Sequence, residues 1–152
     1  MEYKNDYDFI ERSQAILDQY EKIKQDLGAN EFYDVTLLIC ISLGILCMLY
    51  EQYKDKLPTD FLPEVEKEWG ILNANIKVCL SSNRKQDDRS IKNIIRHLRN
   101  ALAHRHITAK TNNHKIVGLT LEDISAKKTS FKAEISIEEL RQFILRASNL
   151  IK

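Results

Sequence analysis

The sequence predicts a mainly α-helical bundle of about five helices, with a small β-hairpin before the C-terminal helix, in one domain over residues 1–152. Three observations carry this. Apolar residues recur at helical spacing through most of the chain. Only four glycines and two prolines are present, too few for long irregular stretches. Beyond His106 the apolar period changes to two, that of a half-buried strand. The hydrophobic fraction of 43% and charged fraction of 30% suit an ordinary globular domain.

The first helix is expected from Asp6 to Leu27. Phe9, Ile10, Ile16, Leu17, Tyr20, Ile23 and Leu27 follow helical spacing, and Gly28 is a natural C-terminal stop. A second helix is expected from Glu31 to Lys54. Its stretch "VTLLICISLGILCMLY", Val35 to Tyr50, has 13 apolar residues of 16. A membrane span needs about 20 predominantly apolar residues, and this run is bounded by Asp34 and Glu51. It therefore reads as a central helix buried nearly all round, with no membrane partner. "LPTDFLPE" breaks it at Pro58 and Pro63. A third helix is expected from Pro63 to Leu80, with Trp69, Leu72, Ile76 and Leu80 on one side. "SSNRKQDD", residues 81–88, reads as a polar loop in which Asp87, Asp88 or Ser90 caps the next helix.

After His106, "KTNNHK" reads as a turn. Val117, Leu119 and Leu121 alternate with polar or small residues, and so do Phe131, Ala133 and Ile135, which predicts an antiparallel hairpin. Ser136 with Glu139 three residues on is a capping box. It opens a last helix with Leu140, Phe143, Ile144, Ala147 and Leu150 on one face.

Charge is unevenly spread. Residues 84–115 carry nine Lys/Arg and two Asp, a balance of +7, while residues 1–83 carry eight against fifteen, a balance of −7. All four histidines lie in the basic segment. Such a concentration suits an anionic partner for that region, although a solvated basic face has the same composition. Cys40, Cys47 and Cys79 are odd in number and lack C-x-x-C spacing. They read as buried, reduced thiols of a cytoplasmic protein. The polar, acidic N-terminus does not read as a signal peptide. There is no G-x-x-x-x-G-K loop, G-x-S-x-G elbow or paired-carboxylate motif.

The segment "IIRHLRNALAHRHI", residues 94–107, concentrates the chemistry. On a wheel of residues 89–104, Ile91, Ile94, Ile95, Leu98 and Leu102 form the core stripe. Lys92, Arg96 and Arg99 lie on a flank. Asn93, His97, Asn100 and His104 fall nearly opposite the core, a polar stripe without fixed charge. Asn and His there suit specific hydrogen bonds or a polar interface; a hydrated face would have the same spacing. His104, His106 and His114 have the residue types for a metal ion. No carboxylate lies between Arg89 and Lys115, however, so no metal or other cofactor is expected.

"RNALAH", Arg99 to His104, resembles the signature of the HEPN superfamily, an Arg and a polar residue followed by a His. The longer string "HLRNALAH", followed by a hairpin and a capped helix, is similar to a bacterial HEPN family. The likeness is sharp over residues 91–107 and extends in element order to the C-terminus. It implies a HEPN-like helical bundle that forms a homodimer; the uncharged stripe Asn93, His97, Asn100 and His104, read as facing away from the core, puts helix 89–104 in the contact. In many members the motif residues of both protomers line one cleft and cut RNA without metal. By position, the resemblance gives Arg99, Asn100 and His104 as catalytic residues; Arg96 and His97, on the same helix, are read beside them as substrate contacts. It implies a metal-independent endoribonuclease working through the ribose 2′-OH, in defence, a toxin–antitoxin pair or a stress response, with an antitoxin or regulatory protein as a further partner. In relatives paired with nucleotidyltransferase antitoxins, a Tyr two residues after the His is modified. His106 stands there, so that control is not expected.

The chemistry is coherent by itself. An imidazole near neutral pH can take the 2′-OH proton, for about 10²–10⁴-fold in rate, and a guanidinium offers paired donors to phosphate oxygens. His106 and His114 are read as loop residues. Two alternatives stand beside the enzyme: a non-catalytic HEPN module binding RNA, a nucleotide or a partner protein, and an assembly subunit in which Arg99 and His104 make dimer hydrogen bonds.

Overall fold

The computed structural model describes residues 6–27 and 34–151. The chain runs α1 (Asp6–Leu27), α2 (Asp34–Tyr53), α3 (Leu62–Trp69), β1 (Ile76–Cys79), α4 (Ile91–Ala103), β2 (Ile107–Asn112), β3 (Lys115–Ser125), β4 (Lys128–Ser136) and α5 (Ile137–Ser148). The expected helical bundle with a small hairpin is overturned. The strands form a four-stranded antiparallel sheet in the order β1-β4-β3-β2. The predicted hairpin is its centre, with Leu119 opposite Ile135 and Leu121 opposite Ala133. In the two outer strands the apolar alternation is only three or four residues long, so pairing with β4 and β3 is what makes them strands.

Beneath the sheet lie α4 and α5, and α2 packs on their other side with α1 outside it. Leu119, Leu121, Phe131, Ala133 and Ile135 face Leu98, Leu102, Leu140, Phe143 and Ile144 in one buried cluster. The core stripe read on α4, from Ile91 to Leu102, is fully buried.

The second helix departs from its reading. Leu38, Ile41, Ile45, Leu46 and Leu49 make one buried stripe, while Thr36 and Cys40 are exposed. It is therefore not buried all round, and α4 is the more deeply buried helix. Residues 34–56 are long and apolar enough, by length and composition, to cross a membrane. Here the buried stripe is taken up by α1, α4 and α5. All three cysteines are free. Cys79 alone is deeply buried, and burial pushes its thiol up to about 12. The Gly28 stop lies outside the described residues.

The third helix is shorter than the Pro63–Leu80 reading. It ends at Trp69 because Gly70 turns left-handed, φ +75°, and its N–H bonds the Glu66 carbonyl. Residues 76–79 then pair with β4 instead of continuing the helix, and Leu72 is left exposed. A Cβ on Gly70 would lie 2.5 Å from Gln142 Cβ on α5. Gly70→Ala is expected to cost roughly 2–4 kcal/mol through left-handed strain and overpacking. Thermal unfolding checks this, and an unchanged Tm would show that the turn relaxes.

Two caps agree with the sequence reading. Ser90 accepts from Asn93 N at the start of α4. At α5, Glu139 N donates to Ser136 Oγ at 3.0 Å and Ser136 N donates to Glu139 Oε2 at 2.8 Å. The Glu139 carboxylate also accepts from Leu72 N and Asn75 Nδ2, tying the cap to the segment entering β1.

Candidate active site

The end of α4 is built by its cap. Arg105 N donates to the Leu102 carbonyl and His106 N to the Ala101 carbonyl at 2.9 Å, with Arg105 left-handed at φ +58°. This pair of bonds is a Schellman closure with a non-glycine residue at its left-handed position. The chain reverses there into β2, and Glu122 N of β3 donates to the His106 carbonyl at 3.0 Å. His104 and His106 thus flank a single strained turn.

Beside that turn lies an open cavity of about 410 Å³, lined by Ser81, Ser82, Arg84, Arg96, Asn100, His104, His106, Asp123 and neighbouring β-strand residues. Three expected site residues, Arg96, Asn100 and His104, meet here. Arg84 and His106 join them unforeseen. Arg84 was inside a loop read as merely polar, and its Nη1 donates to the Ser125 carbonyl at 3.2 Å. His106 was read as a loop residue. The signal for both was the basic character of residues 84–115.

The first half of the polar stripe of α4 does not face away from the core, while Asn100 is half-buried and His104 exposed. Asn93 is 6% exposed and His97 0%, because the sheet covers that side of the helix. His97 stacks on Phe131, ring centroids 5.0 Å apart. Its Nδ1 lies 2.8 Å from Asp123 Oδ2 and its Nε2 2.8 Å from the Leu80 carbonyl. Asp123 requires the proton on Nδ1. Nε2 then accepts from Arg96 Nη2 at 3.0 Å or, when protonated, donates to Leu80. A side chain so enclosed does not reach a substrate, and the substrate-contact reading of His97 is corrected to a supporting one. Asn93 is likewise consumed: Nδ2 donates to the Asp88 and Leu80 carbonyls, and Oδ1 accepts from Arg96.

Asp123 joins this buried network to the cavity. It accepts from His97 and, at 2.9 Å, from Asn100 Nδ2. Burial alone would raise its pKa. The hydrogen bonds from His97 and Asn100, with the charges of His97 and Arg96, outweigh burial and hold the carboxyl below its ordinary range. Arg96 spends Nε and Nη2 on Asn93 Oδ1, which sets its guanidinium at the cavity wall.

Arg99 stands elsewhere. Its Nη2 donates to Glu51 Oε1 at 3.0 Å, its guanidinium lies over the Tyr50 ring at 4.8 Å, and its Nε is buried with no partner. Glu51 and Tyr50 belong to α2, so Arg99 faces that helix while His104 faces the cavity. The difference of about 140° around the axis produces this separation. One copy of the chain does not bring the two motif residues together.

Among the described residues, no three His, Cys, Asp or Glu side chains gather as a metal-ligand set. The geometry defines a class: a helix-and-sheet domain with an imidazole and guanidinium cavity where its central helix ends. The chain belongs to the HEPN family described as HEPN pEK499 p136, whose model matches residues 1–152. Curated proteins and solved structures give no match.

Proposed function

We propose that this HEPN domain is a metal-independent endoribonuclease acting in the cytoplasm. The observation that carries the reading is the convergence of His104, Arg96 and Asn100 on one basic cavity at the end of α4. RNA brings its own nucleophile, so the protein has three tasks: to remove the 2′-OH proton, hold the phosphate and offset developing charge. His104 takes the proton. Arg96 holds non-bridging oxygens. Asn100, anchored on Asp123, sets the cavity wall beside them. A toxin or defence role would suit such an activity, and an antitoxin or regulatory protein would act by covering the cavity.

Arg99 enters through a second copy. The α2–α4 face carries Arg99, Glu51, Tyr50 and the exposed edge of α2, and Arg99 reaches the other protomer's site only if a two-fold contact spans both this face and the cavity rim at His104. The dimer through helix 89–104 therefore has to include α2, because α4 alone exposes only a narrow strip. Light scattering at micromolar concentration is expected to give a dimer; a monomer would remove Arg99 from the reaction.

A binding module without cleavage is the second reading. Arg99 is held by Glu51 and Asn100 by Asp123, contacts that also suit a structural role. Purified protein incubated with mixed RNA in EDTA separates the readings. The nuclease leaves 2′,3′-cyclic phosphate ends and spares RNA with a 2′-deoxy residue at the scissile position. Retention of RNA on a filter without cleavage selects the binding module, and cleavage only with Mg²⁺ overturns the mechanism.

A further inference from the structure

We propose that His106 is the second acid–base group of this site, protonating the leaving oxygen while Arg84 and Arg96 hold the phosphate. The inference rests on the endoribonuclease reading and adds to it a residue outside the Arg–His motif.

Four observations carry it. First, His104 and His106 line the same cavity with ring centroids 6.1 Å apart and planes tilted by 32°. That spacing lets one phosphodiester lie across the open edges of both rings, each within hydrogen-bond reach of one of its oxygens. Second, the backbone at His106 is fixed. Its N–H is bound to the Ala101 carbonyl and its carbonyl to Glu122 N, so α4 and β3 hold it from both sides. Third, its Nδ1 is buried with no hydrogen-bond partner. Nε2 is therefore the ring nitrogen left to meet a substrate oxygen. Fourth, two cations share the cavity, and both are fixed: Arg84 by the Ser125 carbonyl and Arg96 by Asn93.

The charged groups around the pair are few. Arg84, Arg96 and Arg105 are cations. Asp123 is tied to His97 and Asn100, and Glu122 is paired with Lys132. An approaching phosphate would therefore meet two guanidiniums and two imidazoles, with the nearby carboxylates already engaged.

The step balances as follows. The 2′-OH gives its proton to neutral His104 as the 2′-oxygen bonds to phosphorus. The P–O5′ bond breaks, and protonated His106 gives its proton to the departing 5′-oxygen. The products are a 2′,3′-cyclic phosphate and a 5′-hydroxyl, with no oxidant or metal involved.

Leaving-group chemistry tests this. Wild type, His104→Gln, His106→Gln and His106→Asn are compared on a dinucleotide and on a uridine 3′-(4-nitrophenyl phosphate), all in EDTA. Nitrophenolate departs without a proton. His106→Gln and His106→Asn should lose about 10²-fold or more on the dinucleotide but far less on the activated ester, with the acid-form limb missing from the rate–pH profile. His104→Gln should lose both activities. If wild type cleaves neither substrate, the endoribonuclease reading fails and takes the inference with it. If wild type cleaves, the inference alone is overturned by either of two results: His106 variants that keep dinucleotide activity, or variants that lose both substrates equally.

Discussion

Asp123→Ala should destabilise the fold by about 3–5 kcal/mol, the range for removing one partner from a buried charged pair. Asp123 is 6% exposed and holds both the fully buried His97 and the Asn100 amide. Its loss leaves the buried His97 ring and the cavity-lining Asn100 amide without their shared acceptor and unties the cavity wall from α4. Asp123→Asn separates charge from packing. The folded carboxyl titrates below its ordinary range, so the native state binds fewer protons than the unfolded chain. Its contribution is fully present above the unfolded carboxylate value, about 3.9, and fades as pH falls through the lower folded value. Denaturant unfolding should therefore show a gap between wild type and Asp123→Asn at pH 7 that closes below about pH 4. A gap that stays constant with pH would mean that the carboxylate charge contributes nothing.

His104→Ala should lower RNA cleavage by about 10²–10⁴-fold, the usual worth of a positioned proton acceptor, with little change in melting temperature. The side chain is exposed and closes the helix through its backbone alone, His104 N donating to the Asn100 carbonyl at 3.0 Å. Activity and stability thus part company at positions 104 and 123, which belong to the same cavity wall. Cleavage that survives His104→Ala would mean that another group takes the 2′-OH proton.

The features legible in the sequence share one property: their signals are local. The apolar spacing of α1 and of the α4 core stripe, the β3–β4 alternation, the Ser90 cap and the Ser136–Glu139 capping box each depend on residues within a turn or a hairpin. The Arg99–His104 motif is equally local, and with it came the family. The basic segment was visible too, as a surplus of charge without a shape.

Tertiary structure decided the rest. Ile76–Cys79 carries apolar residues that fit a helical wheel, and only β4, about fifty residues later, makes it a strand. Ile107–Asn112 has only Ile107 and Ala109 as apolar residues and becomes a strand because β3 supplies its backbone partners. The same non-locality governed the site. A stripe of Asn and His looks alike whether water or a sheet covers it, and Asp123 and the Leu80 carbonyl arrive from distant segments to bury His97. Arg99 and His104, five residues apart, were sent to different surfaces by helical geometry. His104 and His106, two apart, were brought to one cavity because Arg105 takes the left-handed turn between them. Spacing along a chain determines which face of an element a residue occupies; what lies against that face is determined by the elements that pack there.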